Sequence, residues 1–204
     1  SRYRTELYKL RRKFMSHADG LIHADLHTSN ILASQDKMKI IDMEFAFMGP
    51  FGYDLGYLVG NLISQYCAAC FKRFPSEQNR KQFKAYLLAT IQSLIETYMK
   101  TFTLCWERSV KERYRGQQGL LQSILQEVMV DMPGYASMVN WFRSVSDIPY
   151  PDFDVIENKD AKRNATVLSL MIDWGIMFGR YKYQSADDLI ETIIGIEEEF
   201  RKSL

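Results

Sequence analysis

The stretch from Leu21 to Gly56, LIHADLHTSNILASQDKMKIIDMEFAFMGPFGYDLG, constrains the fold more than any other part of the chain. Three short β-type pieces stand out in it, Leu21–His23, Ile31–Ala33 and Met38–Ile41. Ser34–Lys37 forms the turn between the last two, and Gly49-Pro50-Phe51-Gly52 a loop after them. A tight turn between two such strands carries Asn30 back beside Asp42 and Glu44. No piece is long enough to build a broad sheet.

The flanks are helical in pattern. Tyr3–His17 places Tyr3, Leu7, Leu10 and Phe14 on one face and basic residues on the other. Beyond Asp54 the spacing predicts helices over Asp54–Phe71, Ser76–Lys100, Leu104–Tyr114, Gly119–Val130, Tyr135–Val145, Lys159–Tyr181 and Ala186–Lys202. Ser76 with Glu77, and Ser185 with Asp187 and Asp188, have the character of N-terminal caps. Ile148–Asp152 is a proline-stiffened loop. The expected class is therefore mainly α with a small β patch. Neither GxGxxG nor GxxxxGK[ST] occurs, which argues against a doubly wound phosphate-binding unit. Gly52 and Gly56 form a GxxxG pair whose expected use is close helix packing.

Composition narrows the function classes. With 204 residues, 47% hydrophobic and 25% charged, the chain can bury a substantial core. A net charge of +1 gives no electrostatic case for nucleic acid or an anionic membrane. No apolar run reaches the roughly 18–20 residues of a membrane span. Three cysteines, an odd and low number, fit a reducing compartment, so the expected location is cytoplasmic. Cys67 and Cys70 form a CxxC inside an apolar helical stretch, with too few companion ligands for zinc, and are expected to be packing thiols.

The chemistry is carried by His23-x-Asp25-x-x-x-x-Asn30, followed by Ile41-Asp42-x-Glu44. This is the order of a kinase catalytic loop and a metal-binding turn. Phosphoryl transfer needs a carboxylate to orient and deprotonate the attacking hydroxyl, and hard oxygen ligands to hold Mg²⁺ against ATP phosphates. Asp25 suits the first task, and Asn30, Asp42 and Glu44 the second. His23 is expected to hold the loop backbone. Asp54 is expected to cap the helix after it and to accept N–H bonds from the loop. His27 lies between base and ligand, where it either meets substrate or braces the loop.

FMSHADGLIHADLHTSNIL followed by IIDMEFAFMGPFGYDLGYLVGNLI closely resembles the S-methyl-5-thioribose kinase family, whose loop reads HGDLHTGS and whose turn reads DPEFAFYGPMGFD. Aminoglycoside phosphotransferases and choline kinases are wider relatives. The close match covers residues 14–63, with fainter echoes at Thr97–Glu107 and Asp152–Ala165. The resemblance implies the C-terminal lobe of a protein-kinase-like fold and ATP- and Mg²⁺-dependent phosphorylation of the 1-hydroxyl of methylthioribose, a step of methionine salvage. It assigns Asp25 as base and Asp42 and Glu44 as metal ligands. Three departures stand out. Ala24 replaces a glycine, Ser29-Asn30 replaces Gly-Ser, and Asn140-Trp141 stands where the family carries paired arginines, with Arg143 the nearby cation.

On this reading residues 1–204 are one catalytic lobe, with loop and metal turn in 21–56 and a helical subdomain in 57–204. A nucleotide-clamping N-terminal lobe is missing before it. Apolar surface is then expected at Phe45, Phe47 and Met48, which leaves a homodimer open. Two other readings stand. One is a choline/ethanolamine- or aminoglycoside-type kinase, for which Trp106, Trp141, Trp174 and Tyr150 could supply an aromatic cage. The other is a non-catalytic pseudokinase or interaction module.

Overall fold

A computed structural model describes residues 2–117 and 119–204. The order is α1 (Arg2–Ser16), β1 (Gly20–Ile22), a 3₁₀ turn at Thr28–Asn30, β2 (Ile31–Ala33), β3 (Met38–Ile40) and β4 (Phe47–Gly49). Then come α2 (Gly52–Ala69), α3 (Glu77–Ser109), a 3₁₀ turn at Glu112–Tyr114, α4 (Leu120–Val145), the single-turn α5 (Pro151–Asp154), α6 (Lys159–Gly179) and α7 (Ala186–Lys202). The mainly helical class with a small β patch holds. Two antiparallel ribbons make up that patch, β1 with β4 and β2 with β3.

Helix α2 is the centre of the molecule. It is apolar nearly all round, and Val59, Ile63, Tyr66 and Cys67 are sealed between neighbours. Ile91 and Ile95 of α3, Met132 and Ala136 of α4, Ile172 and Ile176 of α6, and Leu189 and Ile193 of α7 complete the core. The glycine pair does pack closely, and Gly60 extends it. A Cβ on Gly56 would lie 2.6 Å from the Met132 carbonyl, and one on Gly60 2.6 Å from that of Ala136. A smaller cluster of Leu10, Tyr135 and Met177 anchors α1. Cys67 and Cys70 are buried free thiols, as their apolar setting implied. Burial pushes the Cys70 thiol up to about 12.

The sequence reading needs three corrections. The helices expected over Ser76–Lys100 and Leu104–Tyr114 are one helix, α3. Its middle has neither Gly nor Pro, and the Thr103 hydroxyl satisfies itself on the Met99 carbonyl at 2.9 Å. Gly119–Val130 and Tyr135–Val145 likewise fuse into α4 across Pro133. Proline removes a backbone donor there, and Arg180 Nη1 donates to the nearby Val130 carbonyl at 3.0 Å. Strand β4 was unforeseen because Gly49-Pro50 reads as loop, yet Gly20, Leu21 and Ile22 pair with Gly49, Met48 and Phe47. The Ile148–Asp152 loop runs into α5, which starts on Pro151. The Ser185–Asp188 cap is present as a capping box, and Ser76 accepts from the Asn79 N–H at 3.1 Å.

Candidate active site

The loop after β1 hangs on Asp54. One carboxylate oxygen accepts the His23 N–H at 2.6 Å and the other the Ala24 N–H at 2.9 Å. Burial pushes the Asp54 carboxyl above its usual range, and these two bonds pull it partly back. Asp54 is thus a brace for the loop as well as the acid in the first turn of α2. The His23 side chain is buried. Its Nε2 faces the Ile41 carbonyl at 2.8 Å and its Nδ1 accepts the Asp25 N–H at 3.3 Å. Those partners select the neutral ring protonated at Nε2. His23 therefore ties the loop to the end of β3 and has no nitrogen left for chemistry.

Two non-glycine residues sit in left-handed backbone, Ala24 at φ 67° and Asp42 at φ 65°. Such conformations cost about 1–2 kcal/mol for an L-residue and persist only where the surroundings impose them. Here the Asp54 clamp imposes one, and the strand-end pairing of Asn30 with Ile41 adjoins the other. Alanine at position 24 therefore takes up a conformation that glycine would adopt freely.

Asn30 is buried, its Nδ2 donating to the Asp25 carbonyl at 3.1 Å, and its backbone carbonyl accepts the Ile41 N–H at 3.0 Å. Asn30 is thus abreast of Ile41, one residue before Asp42, while Asp25 is held to Asn30 through its carbonyl and to the His23 ring through its N–H. Glu44 follows in the exposed Met43–Ala46 turn. No hydrogen bond or ion pair joins it to the other three among the described residues. The His27 Nε2 lies 3.4 Å from Asp25 Oδ2, so His27 faces the Asp25 carboxylate itself.

Magnesium fits this donor set. The side-chain oxygens of Asn30, Asp42 and Glu44 are hard ligands, and both carboxylates are exposed. Among the described residues no group of three His, Cys, Asp or Glu could hold a metal alone. Mg²⁺ is usually held by one or two carboxylates, with waters and substrate phosphates completing its shell.

A cavity not expected from the sequence lies beside the loop. Of about 500 Å³, it opens between α1, α2 and α4, walled by Phe14, Tyr53, Tyr57, Met138, Trp141 and Tyr150. Burial, and then the neighbouring Asp25, raise the Tyr57 phenol above its ordinary range. Burial, with the Asp54 and Asp25 charges, raises the Tyr53 phenol to about 12. Tyr53 and Tyr57, one helical turn apart just after Gly52, were the available signal.

Arg143 lines the cavity but is not free for a phosphate. Its Nε and Nη2 lie 2.6 and 2.5 Å from Asp152 Oδ2, and its guanidinium lies 4.5 Å from the Tyr150 ring centre. Asn140 points away from the cavity into the core, bonded to Ser64 and Asp173, each at 2.8 Å. The four aromatics do not form a cage. Trp141 and Tyr150 share the cavity, but Trp106 stacks on Phe102 along α3 and Trp174 on Tyr3.

A helical lobe with an Asp–Asn loop clamped from an acid at a helix start has a protein-kinase-like fold. Residues 2–95 match the phosphotransferase enzyme family. The chain is similar to methylthioribose kinases over most of its length. It is 31% identical over 196 residues to the methylthioribose kinase of Geobacillus thermodenitrificans (strain NG80-2), covering 96% of this chain and 47% of that protein. With that of Geobacillus sp. (strain WCH70) it shares 32% over 184 residues, 90% and 44% of the two chains. The protein of that name from Exiguobacterium sibiricum is 34% identical over 131 residues, 64% of this chain and 31% of that one. The chain spans about half the length of the first two. No described helix is long and apolar enough to cross a membrane.

Proposed function

We propose that this chain is the acceptor- and metal-binding lobe of an ATP- and Mg²⁺-dependent kinase acting on a small neutral alcohol, the 1-hydroxyl of 5-methylthioribose. The observation that carries the reading is the position of Asp25, set in a strained, doubly clamped loop and close enough to bear electrostatically on Tyr53 and Tyr57, which line an apolar cavity. A sugar with an apolar methylthio end matches that lining. Fourteen residues line the cavity, including Arg11 but no Asp or Glu, and Arg143 there is already paired with Asp152, which disfavours polycationic aminoglycosides.

In this mechanism the acceptor hydroxyl lies against Asp25 and its proton passes to the carboxylate as the oxygen attacks the γ-phosphorus. The new O–P bond forms as the bond to the bridging oxygen breaks, and ADP leaves. Bound Mg²⁺ offsets charge on the phosphates. Asn30, Asp42 and Glu44 would hold it, His23 and Asp54 keep the loop in shape, and His27 orients Asp25. A nucleotide-clamping lobe would seat on the exposed apolar side of the β patch, where Leu21, Met38, Phe45 and Met48 are all more than half exposed. Phe47 is not part of that face, since it packs edge-on against Phe14 at 5.0 Å.

The test is Asp25→Asn in the full-length protein, with transfer from Mg·ATP to 5-methylthioribose as the assay. The expected kcat falls about 10²–10⁴-fold, with ATP affinity within a factor of about two. Near-native turnover would remove Asp25 as the base.

A further inference from the structure

The cavity beside the loop is larger than a methylthio sugar fills. An engineered apolar cavity of about 150 Å³ holds benzene, or roughly 25 Å³ for each non-hydrogen atom. By that measure the eleven non-hydrogen atoms of 5-methylthioribose take up about 275 Å³ of the 500 Å³ present. What remains exceeds the room that benzene needs. Eight of the fourteen lining residues are aromatic, so the walls are flat as well as apolar. Tyr53 and Tyr57 wall the side nearest Asp25. The rim is built from exposed side chains of two helices. On α1, Tyr8, Arg11 and Met15 follow one another at i, i+3 and i+7 along one face, and on α4 Trp141 and Phe142 are adjacent. Tyr8 is 59% and Trp141 41% exposed, and among the described residues neither ring packs on another aromatic ring. Arg11 has no ion-pair partner among them either.

We propose that this rim is an outer subsite for an aromatic ring, so that the enzyme also phosphorylates sugars whose 5-substituent carries one, such as 5-phenylthioribose. The proposal rests on the cavity being the acceptor site. With the 1-hydroxyl toward Asp25, the substituent at the other end of the sugar points out to the rim. A ring placed there stacks on the unpartnered faces of Tyr8 and Trp141, and the Arg11 guanidinium meets its π face. A methyl group is too short to cover those rings and leaves them in water. Large exposed aromatics that share one apolar cavity are surface a protein keeps for a ligand. The chemical step is the one already described. The 1-oxygen bonds to the γ-phosphorus, its proton passes to Asp25, and the bond to the bridging oxygen breaks to release ADP.

The experiment uses the full-length protein with Mg·ATP and compares kcat/KM for 5-phenylthioribose and 5-methylthioribose in wild type, Tyr8→Ala and Trp141→Ala. Wild type should favour the phenylthio sugar at least about fivefold, the lower end of what one stacked ring contributes, with the gain in KM rather than kcat. In each variant that preference should fall at least about threefold. A substitution that merely loosened the fold would lower both acceptors alike and leave their ratio where it was. A smaller preference in wild type overturns the subsite, as it would if a second copy of the chain or another lobe covered the rim. An unchanged ratio in either variant overturns it too. Both side chains are exposed, and if one variant does not fold the other decides. If neither sugar is phosphorylated, the acceptor reading falls, and calorimetric titration of 5-phenylthioribose into wild type and Tyr8→Ala decides the subsite by itself. Binding at least about threefold weaker in the variant keeps it, and equal binding, or none in either protein, removes it.

Discussion

Replacing Asp54 with alanine removes the two bonds that hold the loop, at 2.6 and 2.9 Å. Hydrogen bonds to a charged group are worth about 1.5–3 kcal/mol each. Two of them would suggest a loss near 5 kcal/mol, but that figure is too high. Burial already raises the Asp54 carboxyl, so part of the gain is spent on desolvation, and alanine escapes that cost. His23 is buried, so its orphaned N–H adds back about 1 kcal/mol or more. A net loss of about 2–3 kcal/mol follows. With a urea m-value of about 2 kcal/mol/M, the midpoint should fall by roughly 1 M. Amide exchange at Ala24 should accelerate more than tenfold, because its left-handed backbone loses its clamp. A midpoint within about 0.2 M of wild type, with Ala24 exchange unchanged, would show that the loop holds its shape without Asp54.

Gly56→Ala should destabilise by about 1–3 kcal/mol despite better helix propensity, because the new Cβ would stand 2.6 Å from a backbone carbonyl that cannot yield. Gly195→Ala, where a Cβ meets nothing within 4 Å on an exposed face of α7, should instead stabilise by about 0.5–1 kcal/mol. Thermal melts of the two variants check both signs. For Glu197, burial works to raise the carboxyl, but hydrogen bonds from Lys84, Tyr66 and Arg201 outweigh it and hold the group down to about 2. A depressed pKa contributes stability above the unfolded value near 4.5, and this is lost as pH falls through the folded value. Denaturant midpoints of wild type should therefore drop steeply between about pH 4.5 and 2, and Glu197→Gln should lower stability at pH 7 and flatten that drop. Parallel pH curves for the two proteins would refute the assignment.

Much of the fold was legible because its signals are local. Helical periodicity, the two N-terminal caps and the β2–β3 turn all depend on residues within a few positions of one another. The errors came where distant groups override local punctuation. Pro133 reads as a break, yet α4 runs through it where Gly56 of α2 packs against the Met132 carbonyl. Gly49 reads as loop until Gly20 pairs with it. Within the site, the spacing of Asp25, Asn30 and Asp42 is encoded in one segment and could be read there. The cavity could not be read, since its walls come from α1, α2, α4 and the residue before α5, each of which looks like ordinary core sequence alone. Nor do Ala24 and Asp42 announce left-handed backbone, because neither is glycine. Arg143 looked available until its partner Asp152, nine residues on, was placed against it.

Helix α2 keeps three duties on separate sides. Gly52, Gly56 and Gly60 face α4, Asp54 faces the loop, and Tyr53 and Tyr57 face the cavity. Tyr53 also packs on Tyr135 of α4, so of the two tyrosines Tyr57 is the one that can change with the interhelical fit and the clamp on Ala24 intact. On the proposed reading, such a helix lets acceptor range drift under selection at one position. Lineages diverging from this scaffold should vary first at Tyr57 and last at the glycines and Asp54.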